Sequence, residues 1–174
     1  ANLDTLFLSS NRAVTATIGN SDKFKLIAWD LTGVSNIVRK GDVRSFGAVQ
    51  DIHIVEPATN YVLAAVILPD QRLKMIAYHV NSIGNFQRVD SFTAGRVTEL
   101  DMALTTGPDT KAVTAVRLEN GNLKMIAWDV QVNNQGEASI VRLGEHNAGA
   151  VSKLSVSRSR HFKGVYTAVG QVEI

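Results

Sequence analysis

The segment Lys25-Leu26-Ile27-Ala28-Trp29-Asp30 returns as Lys74-Met75-Ile76-Ala77-Tyr78-His79, and again as Lys124-Met125-Ile126-Ala127-Trp128-Asp129. The offsets are 49 and 50 residues. A period of that length restricts a chain to an array of one repeated supersecondary unit. A second block lies upstream of each copy: Ala13-Val14-Thr15-Ala16, Val62-Leu63-Ala64-Ala65, Ala112-Val113-Thr114-Ala115 and Val165-Tyr166-Thr167-Ala168. A third block precedes it, with Leu6, Ile52, Leu100 and Leu154 set in one column. A fourth follows: Ile37-Val38-Arg39, Phe86-Gln87-Arg88 and Ile140-Val141-Arg142. Four blocks in register mark a duplicated unit, with three full copies and the first half of a fourth.

Each block reads as a strand. Val97-Thr98-Glu99-Leu100-Asp101-Met102 alternates apolar and polar residues at period two and is rich in β-branched side chains. Gly19-Asn20-Ser21-Asp22, Pro69-Asp70-Gln71 and Glu119-Asn120-Gly121-Asn122 separate second from third strands as hairpin turns, because Gly and Asn tolerate positive φ. No helical period survives without a Gly or Pro break. A four-strand meander cannot bury both faces alone; stacked radially, each sheet covers its neighbours. The expected fold is all-β, a β-propeller segment of about 3.5 four-stranded antiparallel blades. Its blades are expected at 3–47, 49–96 and 97–150, with a half-blade at 151–174.

The pattern of Ala112 to Arg117, Asn120 to Val130, Ile140 to Gly144 and Ala148 to Ser152 resembles uncharacterised bacterial tandem β-propeller repeats, and the resemblance covers the whole chain. It is only loosely WD-like. Trp29-Asp30 and Trp128-Asp129 lie on third strands, but no Gly-His precedes them and the second copy has Tyr78-His79. The resemblance implies a fold and brings no activity with it.

Composition excludes several classes of function. With 45% hydrophobic and 20% charged residues the 174-residue chain is globular. A formal charge of +2 is spread along it, and the densest basic group is Arg158, Arg160, His161 and Lys163. A nucleic-acid face needs a denser stripe, so no nucleic-acid partner is expected. No apolar run reaches the length of a membrane-spanning helix, and no membrane partner is expected either. There are no cysteines, hence no disulfide, thiol chemistry or cysteine zinc site. No G-x-S-x-G elbow, H-E-x-x-H or glycine-rich phosphate loop is present, and no cofactor is implied.

The aromatic column Trp29, Tyr78 and Trp128 invites sugar stacking, but its mid-strand place among apolar neighbours points to packing between blades. The lysine column Lys25, Lys74 and Lys124 reads as snorkelling side chains. The arginines 39, 88 and 142 fall on outermost strands, where charge discourages edge pairing. Gly144-Glu145-His146 reads as a surface turn. The first strands carry the candidate site. Thr5, Asp51, Glu99 and Lys153 are placed in one column, and Phe7, His53, Asp101 and Ser155 in another. In a propeller the first strand lines the axial channel, so Asp51, His53, Glu99 and Asp101 are the expected ligand-binding residues. Their carboxylates could take a divalent cation through oxygen; a wet channel also simply tolerates polar groups.

The function expected from these residues is a non-enzymatic propeller module, structural or binding a ligand or protein. A further chain or a second copy would complete the ring, since closure takes four to eight blades. The alternatives are a carbohydrate-binding propeller lectin, with a glycan pocket on each blade, or the propeller portion of a hydrolytic or glycan-active enzyme.

Overall fold

A computed structural model describes residues 3–33, 36–106, 109–158 and 165–170. Its described residues contain no helix. The first sheet is built from β1 (Leu3–Ser9), β2 (Arg12–Ile18), β3 (Lys23–Gly33) and β4 (Asn36–Ala48). The second holds β5 (Asp51–Ala58), β6 (Tyr61–Ile67), β7 (Arg72–Val80) and β8 (Phe86–Arg96). The third holds β9 (Glu99–Leu104), β10 (Ala112–Arg117), β11 (Asn122–Val132) and β12 (Ala138–Ala150). A two-stranded sheet of β13 (Lys153–Arg158) and β14 (Val165–Gly170) follows. Every pairing is antiparallel between sequence neighbours.

The second-to-third-strand turns explain how one sheet leads to the next. Each holds one residue at positive φ: Asp22 at 57°, Gln71 at 64° and Gly121 at 80°. Its amide closes the turn by donating to Gly19, Leu68 or Leu118. Its carbonyl then accepts the amide of the valine that directly follows the fourth strand, where the chain crosses to the following sheet. Val49 donates to Asp22 at 2.7 Å, Val97 to Gln71 at 2.7 Å and Val151 to Gly121 at 2.9 Å. All three valines are buried. The positive φ was expected from Gly and Asn, yet two of the three turns place Asp and Gln there. An L residue in that region is strained, and glycine is not. Gln71→Gly is therefore expected to raise stability by about 0.5–1 kcal/mol, and Gly121→Ala to lower it by about 1–2 kcal/mol. Opposite signs in urea midpoints would bear this out; equal signs would refute it.

The sheets stack face to face in chain order, and successive sheets meet most closely along their first strands, β1 on β5, β5 on β9 and β9 on β13. Alternation along each strand supplies the two faces. Phe24, Leu26 and Ala28 of the first sheet pack against Ile52, Ile54, Ile76, Tyr78 and Val80 of the second. Leu63, Leu73 and Met75, on the second sheet's other face, pack against Leu100, Ile126, Trp128 and Val130 of the third. Leu123 and Met125 continue the series onto Leu154 and Val156. All seven residues of β6 are buried, because both faces of the second sheet are covered. The first sheet's leading face is not covered: Leu3 and Phe7 are 65% and 68% exposed.

Three expectations change. Trp128 and Tyr78 are buried between sheets, but Trp29 lies on that open leading face and is only half-buried. Gly144-Glu145-His146 is not a turn; it runs inside β12, paired to β11. Its glycine follows from an exposed outer strand, where small residues accommodate twist and the bulge opposite Ala127 and Trp128. The lysine and arginine columns are not merely solvated. In the first sheet Lys25 and Arg39 both hold Asp42, at 3.0 and 2.6 Å. In the third, Lys124 holds Glu145 at 3.2 Å and Arg142 pairs with the same carboxylate. Arg160, His161 and Lys163 lie outside the described residues, as does the side chain of Arg158.

Candidate functional site

The first strands bring Asp51, His53 and Asp101 together and add a residue the columns left out. Register settles why. Asp4 pairs with Ala16, His53 with Ala65, Asp101 with Ala115 and Ser155 with Ala168. The first-copy partner of His53 and Asp101 is thus Asp4 and not Phe7. Likewise Leu3, not Leu6, matches Ile52, Leu100 and Leu154. The apolar run Leu6-Phe7-Leu8 has no alternation to fix its register. Spacing did carry the signal: Leu3 stands ten residues before Ala13, as Ile52 stands ten before Val62.

His53 sits at the centre. Its Nδ1 is 3.2 Å from Asp101 Oδ1 and 3.9 Å from Asp4 Oδ2, and its Nε2 is 3.8 Å from Asp51 Oδ2. Three successive sheets therefore each contribute a charged or ionisable group to one spot. The carboxylates are also engaged elsewhere. Asp4 Oδ2 accepts the backbone amide of Ile54 in the next sheet at 2.8 Å. Asp101 Oδ2 accepts Val156, again one sheet on, at 2.7 Å, and Glu99 Oε1 accepts Leu154 at 3.3 Å. A carboxylate bonded to backbone amides is fixed in place by charge-assisted hydrogen bonds. The outer strands repeat the device, where Asp90 accepts the Ile140 amide at 2.6 Å. These groups brace sheet to sheet. Among the described residues no three His, Asp or Glu side chains are placed to hold a metal ion.

Burial by itself raises the carboxyl of Asp51, and the imidazole of His53 leads the groups that offset it, so the carboxyl lies below its ordinary value. A carboxyl lowered by folding stabilises the chain above the unfolded value near pH 4, and that contribution is lost as pH falls through the lowered folded value. Asp51→Asn is expected to flatten the acid end of the stability profile, followed by urea midpoints from about pH 6 to about pH 2. An unchanged acid slope would count against the coupling.

The indoles of Trp29 and Trp128 and the ring of His79 are each held by a neighbouring side chain. Trp29 Nε1 donates to Thr15 Oγ1 at 2.9 Å, and Trp128 Nε1 to Thr114 Oγ1 at 3.0 Å. His79 packs on Tyr61 with ring centroids 5.1 Å apart. Asp30 is bonded by Thr32 and paired with Lys40, and its carboxyl falls to about 2, chiefly through the Thr32 hydroxyl. Asp129 pairs with Lys111 at 2.8 Å.

No family model matches the chain, and no curated protein matches its sequence. Among solved structures it is similar to the 1.18 Å crystal structure of the uncharacterized protein lmo1340 from Listeria monocytogenes EGD-e, with a TM-score of 0.47 and 10% identity. The match covers 97% of this chain and 50% of that one, so this chain spans about half the length of that protein.

Proposed function

We propose that the chain is a segment of a β-propeller related to the bacterial tandem repeats it resembles. In this reading it is a non-enzymatic scaffold, structural or ligand- and protein-binding, whose ring a further chain or a second copy completes. The observation that carries this reading is the stacking: among the described residues each four-stranded sheet packs chiefly on its sequence neighbours, most closely along the first strands. Sheets arranged this way fan out, and a fan continued in one sense returns on itself.

The candidate carboxylates support a scaffold over an enzyme. Asp4, Asp101 and Glu99 each direct an oxygen to a backbone amide of the next sheet. The burial of Tyr78 and Trp128 favours packing over a lectin that stacks one sugar on each blade. The open leading face, with Leu3, Phe7 and half-buried Trp29, matches the face that the second and third sheets bury against their predecessors. A further sheet of the same kind would cover it. Sedimentation of the 18.8 kDa chain is expected to show association. A stable monomer that binds no apolar dye would overturn the ring-completion reading.

A further inference from the structure

The first and third sheets hold a lysine–carboxylate–arginine triad, and the second lacks its carboxylate. Register aligns Lys25, Lys74 and Lys124 on the third strands and Arg39, Arg88 and Arg142 on the fourth. The acid lies opposite the isoleucine of the third strand: Asp42 opposite Ile27, and Glu145 opposite Ile126. Opposite Ile76 stands Ser91. Arg88 donates to the Ser91 hydroxyl, and among the described residues neither Lys74 nor Arg88 has a carboxylate partner. Elsewhere the arrangement holds an anion firmly, since Lys25 and Arg39 keep the carboxyl of Asp42 below its ordinary value. The second sheet keeps both cations and offers them no counter-charge.

The same locus is hollow. Between the first and second sheets a cavity of about 160 Å³ is lined by Phe24, Val43, Val49, Ile76 and Tyr78, with Arg44, Lys74 and Arg88 also on its wall. The corresponding gap between the second and third sheets, lined by Leu73, Ile126, Lys124, Arg142 and Glu145, is only about 40 Å³. Two aligned positions account for the difference. Phe92 packs edge-on to Trp128 with centroids 5.5 Å apart and fills the smaller gap. Their counterparts at the larger gap are Val43 and Tyr78. The Trp–Thr hydrogen bond is missing there as well: Ala64 stands where Thr15 and Thr114 accept an indole N–H. Burial pushes the Tyr78 hydroxyl up to about 12, so it remains a neutral donor. Among the described residues it has no hydrogen-bond partner.

We infer that this slot binds a small organic anion, an aromatic carboxylate whose ring enters between the first two sheets and whose carboxylate takes the position between Lys74 and Arg88 that Asp42 and Glu145 occupy in the neighbouring sheets. A cavity of about 150 Å³ lined by apolar side chains accommodates benzene, which sets the size of the ring. The paired cations select the charge. The third sheet is excluded by its own Glu145, and its gap by Phe92.

The test uses phenylacetate, its neutral isostere phenylacetamide and inorganic phosphate, titrated into the full chain by calorimetry. Phenylacetate is expected to bind at least about tenfold more tightly than phenylacetamide or phosphate. Ser91→Glu, which restores the triad, is expected to weaken phenylacetate by about tenfold or more without lowering the melting temperature. Val43→Phe, which refills the slot as Phe92 does, is expected to weaken phenylacetate and phenylacetamide alike. Should either variant fold poorly, Lys74→Met supplies the charge test alone. Equal binding of acid and amide, undiminished binding by Ser91→Glu or Lys74→Met, or no binding at millimolar concentration would each overturn the assignment. Association of the chain is read separately, so failure here leaves the ring-completion reading standing.

Discussion

Replacing Trp128 by alanine is expected to lower the stability of the chain by about 3–5 kcal/mol. The indole is completely buried, clamped between the second and third sheets, and contacts Phe92 edge to face. Its loss opens a cavity that rigid strands on both sides cannot close. It also strips the Thr114 hydroxyl, itself fully buried, of its indole partner. Leaving such a group unpaired adds to the cost. The matching substitution in the first sheet supplies the control. Trp29 is half-buried on the open leading face, and its alanine variant is expected to lose roughly half as much or less. Urea unfolding of the two variants side by side decides the matter. Equal losses, or a loss under about 1 kcal/mol for Trp128, would show that the indole is not a packing residue.

Leu63→Ala is the second large effect, at about 2–5 kcal/mol. Leu63 lies at the centre of β6, flanked in register by Val55 on β5 and Ala77 on β7, and is fully buried. Nearby members of the same core are the alanines 65, 77 and 112. Side chains that short cannot swing into a vacancy, so the upper half of the range is expected. Because β6 is covered on both faces, the cost should appear as a lower midpoint with an unchanged denaturant slope. A cost under about 1 kcal/mol would mean that the second sheet can collapse onto the third without it.

The strands were legible because two signals coincided, period-two alternation and the recurrence of Lys-x-Ile-Ala-aromatic at a fixed interval. The turns were legible as places, though not in detail; that Gln71 takes positive φ follows from the closed turn and not from its own preference. The candidate cluster was read as Asp51, His53, Glu99 and Asp101, three of which converge with Asp4, while Glu99 reaches instead to the Leu154 amide. Asp4 escaped because apolar residues on both faces of β1 blur its register. The slot at Lys74 and Arg88 escaped for another reason. Three residues after Arg39, Arg88 and Arg142 stand Asp42, Ser91 and Glu145, a pattern visible in the chain. Its meaning depends on a bulge in the third-to-fourth-strand pairing, which recurs after Ala28, Ala77 and Ala127 and brings acid and lysine side by side. Linear spacing does not reveal a bulge.

The three amides of Val49, Val97 and Val151 have a practical consequence. Each extends the third-to-fourth-strand pairing of its sheet by one bond, just before the chain crosses to the next sheet. The very next amides of the first two crossings, those of Gln50 and Thr98, already bond to the second strand of the sheet ahead, at Ile67 and Arg117. In hydrogen–deuterium exchange the adjacent protons of Val49 and Gln50, and of Val97 and Thr98, therefore report two different sheets from neighbouring positions. Equal opening free energies within a pair mean that the two sheets come apart together, and unequal ones that each opens alone. Both are measured in the native protein, without mutation and without unfolding the whole.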